Sequence, residues 1–154
     1  MLTTYIPEYN DLSFRQLMLS DEETMSYNKA WGGTIPWPRE EWADWYDWWI
    51  TNNEGKRYYR LLKDKTGRFV GEIAYHIDRD TGYALANVII YAPFRRKGFG
   101  GEALDLLIRA AKENGISVLY DDIAIDNTAK EMFLKHGFIE EYSTEDKIFL
   151  KKEL

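Results

Sequence analysis

The residues best suited to chemistry lie in one short stretch, APFRRKGFGGEALDLL, which places cations and glycines between a proline and an amphipathic helix. The unpaired N–H groups and partial positive charge of a helix N-terminus favour a bound anion. Glycines let the backbone bend and a ligand approach closely, while Arg95, Arg96 and Lys97 add full positive charge. The stretch therefore predicts a site for a phosphate or pyrophosphate. Alternatively, the glycines only turn a corner between strand and helix, and the cations are solvated.

The glycine spacing narrows the kind of phosphate site. It matches neither the P-loop pattern G-x-x-x-x-G-K-[ST] nor the dinucleotide pattern G-x-G-x-x-G. What remains is Arg95-x-x-Gly98-x-Gly100, which follows a strand and Pro93 and precedes a helix, a strand and the stretch DNTAKEMFLKHGF. This arrangement resembles the GCN5-related N-acetyltransferase (GNAT) family, with its R/Q-x-x-G-x-G/A signature. The resemblance covers residues 12–150, the first third only in outline.

The resemblance implies acetyl-CoA as co-substrate, with the glycine loop holding its pyrophosphate. The strand before the loop would splay from the next strand and offer backbone groups of Ile90 and Tyr91 to the pantetheine arm. Asn127 would contact the cofactor, or act as a helix N-cap, or do both; whether Asp126 or Asn127 aligns with the family's asparagine is open. The predicted loop residues are Arg95, Arg96, Lys97, Gly98, Phe99, Gly100 and Gly101.

Acetyl transfer to an amine also needs a base, and two carboxylates are candidates. Glu72, in FVGEIAY, lies on a strand beside the cofactor strand, and Asp122, in LYDDIAI, lies across the splay. Asp121 and Asp122 are consecutive in an apolar strand, so one of them faces inward, which is costly unless it is paired or functional. We predict catalytic roles for Glu72 and Asp122. The alternative for each is a hydrogen-bonded or solvent-facing acid.

The acid that protonates the leaving thiolate is missing from its usual place. Many family members carry a tyrosine four residues before the closing glycine, where this chain has Phe133. A phenyl ring cannot donate a proton. Tyr91 and Tyr120 are alternative donors, and nothing in the sequence singles out either one.

The acceptor site is predicted in the stretch WGGTIPWPREEWADWYDWWI. An aromatic wall with acidic neighbours suits a cationic amine. Helical spacing puts four of the aromatic residues on one face, which indicates that most of them are core. The predicted acceptor-binding residues are Trp48, which points away from that face, and Gly33, in the glycine-containing loop before the helix. The four residues of the stripe are Trp42, Trp45, Tyr46 and Trp49.

The elements that must position these residues follow from hydrophobic periodicity and turn signals. We expect a strand over DLSFRQLML, a helix over SDEETM and a helix that begins at Pro38. Two strands around KDKTG, a strand ending in VIIY, a helix after the glycines, a strand over ISVLYDDIAI, a helix from Asn127 and a closing hairpin complete the chain. The predicted fold is α/β (α+β), a mixed central sheet of six to seven strands with a splayed pair and about four helices, in one domain over residues 1–154.

Composition excludes several classes of function. There is no cysteine, so disulfides and thiolate–zinc sites are ruled out, and a cytoplasmic location is expected. The formal net charge of −6 argues against nucleic-acid binding. No segment suits a membrane span. The two histidines, His76 and His136, are too far apart to predict a metal site. A monomer and a homodimer are both compatible with the sequence.

These observations predict an N-acetyltransferase that moves an acetyl group directly from acetyl-CoA to a primary amine of a small acceptor, with a cationic amine as one candidate. Two alternatives remain. One is a non-catalytic acyl-CoA-binding or regulatory module of the same fold, which the absent tyrosine favours. The other is a protein-interaction domain that uses the tryptophan-rich helix, which would require a broad exposed apolar face.

Overall fold

The computed structural model describes residues 1–154 and contains a seven-stranded mixed sheet with four α-helices. The helices are α1 Leu12–Ser20, α2 Trp42–Tyr46, α3 Phe99–Glu113 and α4 Lys130–Lys135. The strands are β1 Thr3–Tyr5, β2 Arg57–Lys63, β3 Phe69–Ile77, β4 Ala84–Ile90, β5 Val118–Ala124, β6 Ile139–Ser143 and β7 Lys147–Glu153. The predicted fold class is confirmed.

The sheet has the strand order β1-β2-β3-β4-β5-β7-β6, and only β4 and β5 run parallel. These two strands pair through Ala84 with Leu119 and through Leu85 with Tyr120, and at no later residue. Because β4 continues to Ile90 without a partner on that side, the two strands diverge toward their C-terminal ends. The predicted splay is therefore present, and it opens a gap in the middle of the sheet.

Helices cover the sheet on both faces. The apolar stripe of α3 is buried in one large core cluster together with residues of β3, β5 and β7. On the opposite face, α1 and the tryptophan-rich helix pack over β2 to β4. None of the helices combines the length and the apolar character needed to cross a membrane. The buried residues of α3 are Ala103, Leu104, Leu107 and Ala111.

The strand predicted over DLSFRQLML is wrong, because this segment forms α1. Leu12 and Phe14 alternate with polar residues, which imitates a strand over four residues. The fully buried positions, however, are Leu12, Met18 and Leu19, and the i, i+7 spacing of the two leucines is helical. The first strand is instead β1, whose three residues are too few to show a period.

The tryptophan-rich segment is helical, as predicted, but irregular. A 3-10 turn over Arg39–Glu41 leads into α2, and a π-helical turn over Asp47–Thr51 continues it. Trp42 is buried, and Trp45 and Trp49 stack on each other with ring centroids 5.7 Å apart. A further 3-10 helix, Thr24–Trp31, crosses from α1 toward the splay.

Candidate active site

A cavity of about 930 Å³ follows the gap between β4 and β5. One end lies at the N-terminus of α3, where Gly98 and Gly100 line it. The other end reaches Trp45 and Trp49 of the tryptophan-rich segment. Since the cavity is continuous, a long ligand lying in it would contact both the glycine loop and the aromatic wall.

The glycine loop presents backbone donors that the protein does not use. None of the N–H groups of residues 96–101 donates a hydrogen bond within the chain. Gly98 is the N-cap of α3 with a φ of 82°, and a side chain there would meet nothing within 4 Å. Its φ favours glycine because an L-residue is strained in this region. Free donors in open space at a helix N-terminus fit a pyrophosphate group.

Gly100 and Gly101 require glycine for a different physical reason, which is the lack of space for a side chain. A Cβ on Gly100 would lie 3.1 Å from Met132 Sδ, and one on Gly101 would lie 3.3 Å from His136 Cε1. Both positions therefore let α3 pack closely against α4. Only Gly98 has the role expected from the sequence, in which a glycine lets a ligand approach the backbone closely.

Arg95 does not act as a free cation. Its Nε donates to the Ile90 carbonyl at 3.1 Å, its Nη1 to the Glu23 carbonyl at 3.0 Å and its Nη2 to the Thr24 carbonyl at 2.7 Å. The guanidinium thus ties the glycine loop to the 3-10 helix and to the end of β4. Arg96 and Lys97 are exposed and have no ion-pair partner in the chain, so they supply the free positive charge of the loop.

The backbone groups that face the splay follow from the register of β3 and β4. The Tyr91 N–H donates to the Val70 carbonyl at 2.9 Å, so Tyr91 faces β3. Because alternate residues of an antiparallel strand pair with the same neighbour, Val88 and Ile90 direct their backbone groups toward β5. Of the two predicted residues, Ile90 fits and Tyr91 does not, since its N–H is already paired. Val88, rather than Tyr91, is the second residue whose backbone groups face the splay.

Glu72 lies at the inner wall of the cavity and is 1% exposed. The Tyr59 hydroxyl donates to it at 2.7 Å, the Asn87 amide donates at 2.8 Å, and Arg15 Nε lies 3.6 Å away. Burial raises the pKa of the Tyr59 hydroxyl well above its usual range, which keeps this donor protonated. The Glu72 carboxyl group therefore accepts two hydrogen bonds and has the Arg15 guanidinium beside it.

The two consecutive aspartates of β5 are in different environments. Asp122 also borders the cavity, but it is exposed and its carboxylate lies 3.3 Å from Lys147 Nζ. Asp121 lies on the strand face of the buried Leu119 and Ile123, lines the cavity and has no ion-pair partner. Burial, and then the charge of Asp122, raise the pKa of Asp121 well above its usual range. The inward carboxylate is Asp121, whereas the sequence prediction places the catalytic role on Asp122.

Proton donors near the splay also differ from the predicted ones. Phe133 is buried against Phe138, and neither Tyr91 nor Tyr120 lines the cavity. Tyr27, on the 3-10 helix, does line it, and burial raises the pKa of its hydroxyl. This tyrosine is protonated at neutral pH. No motif or spacing in the sequence indicates Tyr27 as a proton donor.

The predicted acceptor residues lie outside the cavity lining. Trp48 is 56% exposed, and Gly33 lies in the loop beyond the 3-10 helix. Asn127 does line the cavity, as predicted, but its Oδ1 accepts the Ala129 N–H at 2.8 Å and caps the turn before α4. The helix itself begins three residues after Asn127, at Lys130.

Comparison with known proteins agrees with this geometry. A model of the acetyltransferase (GNAT) family matches residues 16–138. The ribosomal protein bS18-alanine N-acetyltransferase of Haemophilus influenzae is 30% identical over 91 residues, which are 59% of this chain and 62% of that protein. The match thus spans less than two thirds of the length of that relative.

Solved structures show the same fold over nearly the whole chain. The spermidine N-acetyltransferase of Vibrio cholerae in complex with CoA and spermine has a TM-score of 0.78 at 21% identity, covering 99% of this chain and 95% of its own. An N-acetyltransferase of Staphylococcus aureus Mu50 has a TM-score of 0.74 at 18% identity, covering 99% and 98%. The chain therefore belongs to the GNAT acetyltransferase family, a class of enzymes that use acetyl-CoA.

Proposed function

We propose that the chain catalyses direct transfer of an acetyl group from acetyl-CoA to a primary amine of a small acceptor. The observation that carries this proposal is the continuous cavity, which joins the unpaired amides of residues 96–101 to the splay and to the inward Asp121. These are the parts that such a reaction requires: an anion grip, backbone donors beside the reacting carbonyl, and a base.

The binding roles follow from position. The amides of residues 96–101 hold the pyrophosphate, with Arg96 and Lys97 adding charge at the surface. The backbone groups of Val88 and the N–H of Ile90, which face the splay, bind the pantetheine arm along β4, while the Ile90 carbonyl accepts from Arg95. Asn127 lines the same part of the cavity. Arg95 holds the loop in shape by its three hydrogen bonds to carbonyls.

In the chemical step, the C–N bond of the product forms as the thioester C–S bond breaks. Asp121 accepts the proton that the amine releases, and its raised pKa makes it a stronger base than an ordinary aspartate. A backbone N–H of Val88 or Ile90 donates to the carbonyl oxygen as negative charge develops there. Tyr27 donates its proton to the departing sulfur. Glu72 is the alternative base, acting through water.

Thermal melting and thiol release test this proposal. At a hundredfold excess over its dissociation constant, acetyl-CoA should raise the melting temperature by about 5 to 11 °C. A panel of primary amines should then release free CoA thiol. Asp121→Asn should abolish most of the release, with Asp122→Asn as the matched control. No melting shift with acetyl-CoA would refute the proposal, and a shift without thiol release from any amine would favour the non-catalytic module.

The interaction-domain alternative has less support from the structure. It needs a broad exposed apolar face on the tryptophan-rich helix, but Trp42 is buried and Trp45 and Trp49 line the cavity. Only Trp48 of this group is largely exposed.

A further inference from the structure

Arg15, on α1, lines the aromatic end of the cavity and is the starting point of the inference. Its side chain is 17% exposed. Its Nε is buried without a hydrogen-bond partner, since the nearest Glu72 oxygen lies 3.6 Å away. Of the donors that the guanidinium carries, at least this buried Nε–H is therefore unpaired within the chain.

The aromatic residues at this end already hold a cation. The Arg15 Cζ lies 4.3 Å from the ring centroid of Trp37 and 4.6 Å from that of Trp45. A positively charged acceptor would have to compete with Arg15 for these rings, because a cation–π contact needs the ring face. Of the rings that line the cavity, Trp45 is therefore already occupied by Arg15, which argues against a cationic acceptor at this ring.

The charge of Arg15 is only partly matched inside the protein. Glu72 is the one acid beside it, and that carboxylate is also bound by Tyr59 and Asn87. A guanidinium with an unpaired donor at a cavity wall is suited to bind a carboxylate, which its planar fork matches. The two tryptophans hold it in place before any ligand arrives.

The splay region of the same cavity carries an inward side chain of acidic type. Asp121 lies in the splay, without a cationic partner, where the acceptor amine must be placed for transfer. The cavity thus offers an acid for an amine and an arginine for an anion. An acceptor that carries both groups would satisfy both residues at once.

We propose that the acceptor is an amino carboxylic acid, with its amine at Asp121 and its carboxylate bound by Arg15. This inference rests on the proposed acetyl transfer at the same site. It assigns Arg15 as the residue that determines specificity.

Matched pairs of acceptors that differ only by the carboxylate test the inference. Suitable pairs are L-leucine with isopentylamine, L-phenylalanine with phenethylamine, and L-methionine with 3-(methylthio)propylamine. For at least one pair, the wild-type enzyme should show a kcat/KM about 10- to 100-fold higher for the amino acid, as expected for a charge-assisted hydrogen bond. The ratio within a pair is independent of any loss of activity common to both compounds.

Two variants of Arg15 connect this ratio to the side chain. Arg15→Gln should reduce it to within about threefold of unity, mainly through a higher KM for the amino acid. Arg15→Lys keeps a charge beside Glu72 but lacks the fork, so its ratio should be intermediate. Arg39→Gln is the control, because Arg39 also lies over an aromatic ring, 4.8 Å from the Trp42 centroid, but lies outside the cavity. Its ratio should equal that of the wild type.

The outcomes separate this inference from the proposed function. Decarboxylated amines that react as well as the amino acids would overturn the inference and leave acetyl transfer standing. A carboxylate preference that survives both Arg15 variants would overturn the role of Arg15. Acetyl-CoA binding without thiol release from any member of the pairs would also overturn it. Failure to bind acetyl-CoA would remove both proposals.

Discussion

Arg95 and Arg96 are adjacent in sequence, yet their replacement should have different consequences. Arg95 donates three hydrogen bonds to carbonyl oxygens, one of them on the first residue of the 3-10 helix and one on its N-cap, Glu23. Arg95→Met keeps the aliphatic stem and removes every donor. At about 1 kcal/mol for each bond, the free energy of unfolding should fall by about 3 kcal/mol. For a chain of this length, the melting temperature without ligand should fall by about 6 to 12 °C.

Arg96→Met should leave the ligand-free protein almost unchanged, because Arg96 is exposed and has no partner in the chain. Surface substitutions of this kind alter stability by less than about 0.5 kcal/mol. The loss should appear in binding instead. One exposed cation beside a pyrophosphate contributes about 0.5 to 1 kcal/mol, so Kd for acetyl-CoA should rise about two- to fivefold. This effect should shrink as salt screens the charge.

Differential scanning fluorimetry without ligand and calorimetric titration with acetyl-CoA at two salt concentrations measure these two effects separately. The reasoning is refuted if Arg95→Met melts like the wild type and weakens binding to the same extent and with the same salt dependence as Arg96→Met. In that case Arg95 would be a phosphate-binding cation, and its carbonyl contacts would contribute nothing to stability.

Three further predictions follow from the site. Because the pKa of Asp121 is raised in the folded state, ionisation of its carboxyl group lowers the stability of the fold as pH rises through that pKa. Asp121→Asn should therefore melt at a higher temperature than the wild type at pH 8 and at the same temperature near pH 3. The control Asp122→Asn, at an exposed position, should shift the melting temperature by less than about 2 °C at either pH. Gly98→Ala, at a φ of 82° but with open space around it, should cost about 1 kcal/mol, seen as a fall of about 2 to 4 °C in melting temperature. Tyr27→Phe should lower kcat about 100-fold with acetyl-CoA affinity unchanged in titration, and an unchanged kcat would exclude Tyr27 as the acid.

Much of the sheet could be predicted because its signals are local. The strands β2 to β7 contain aromatic or β-branched residues and lie between turn segments such as KDKTG and TED. The segment that became α1 could not be assigned this way, because four alternating residues satisfy a strand period by chance. Its helical register becomes visible only when Leu12 and Leu19 are known to be buried together.

The residues of the site also fall into those that local sequence predicts and those that only the tertiary structure reveals. The glycine loop could be predicted, because free amides at a helix N-terminus depend on neighbouring residues alone. Arg15 and Tyr27 could not, because tertiary packing brings them to the cavity from α1 and the 3-10 helix. The choice between Asp121 and Asp122 required the pairing of β5 with β7, which sets Asp121 opposite the buried Leu150.

Two residue pairs are all that join the first four strands of the sheet to the last three. The helix α3 packs across this short pairing of β4 with β5, here called the seam, because it shares one core with Ile73 on β3 and Leu119 on β5. We therefore expect α3 to supply much of the stiffness of the molecule at the seam. The same helix supplies the amides of the glycine loop at its first turn. A change in its buried stripe, for example at Leu107, would alter the width of the seam and so tune ligand affinity from a distance, without touching the ligand.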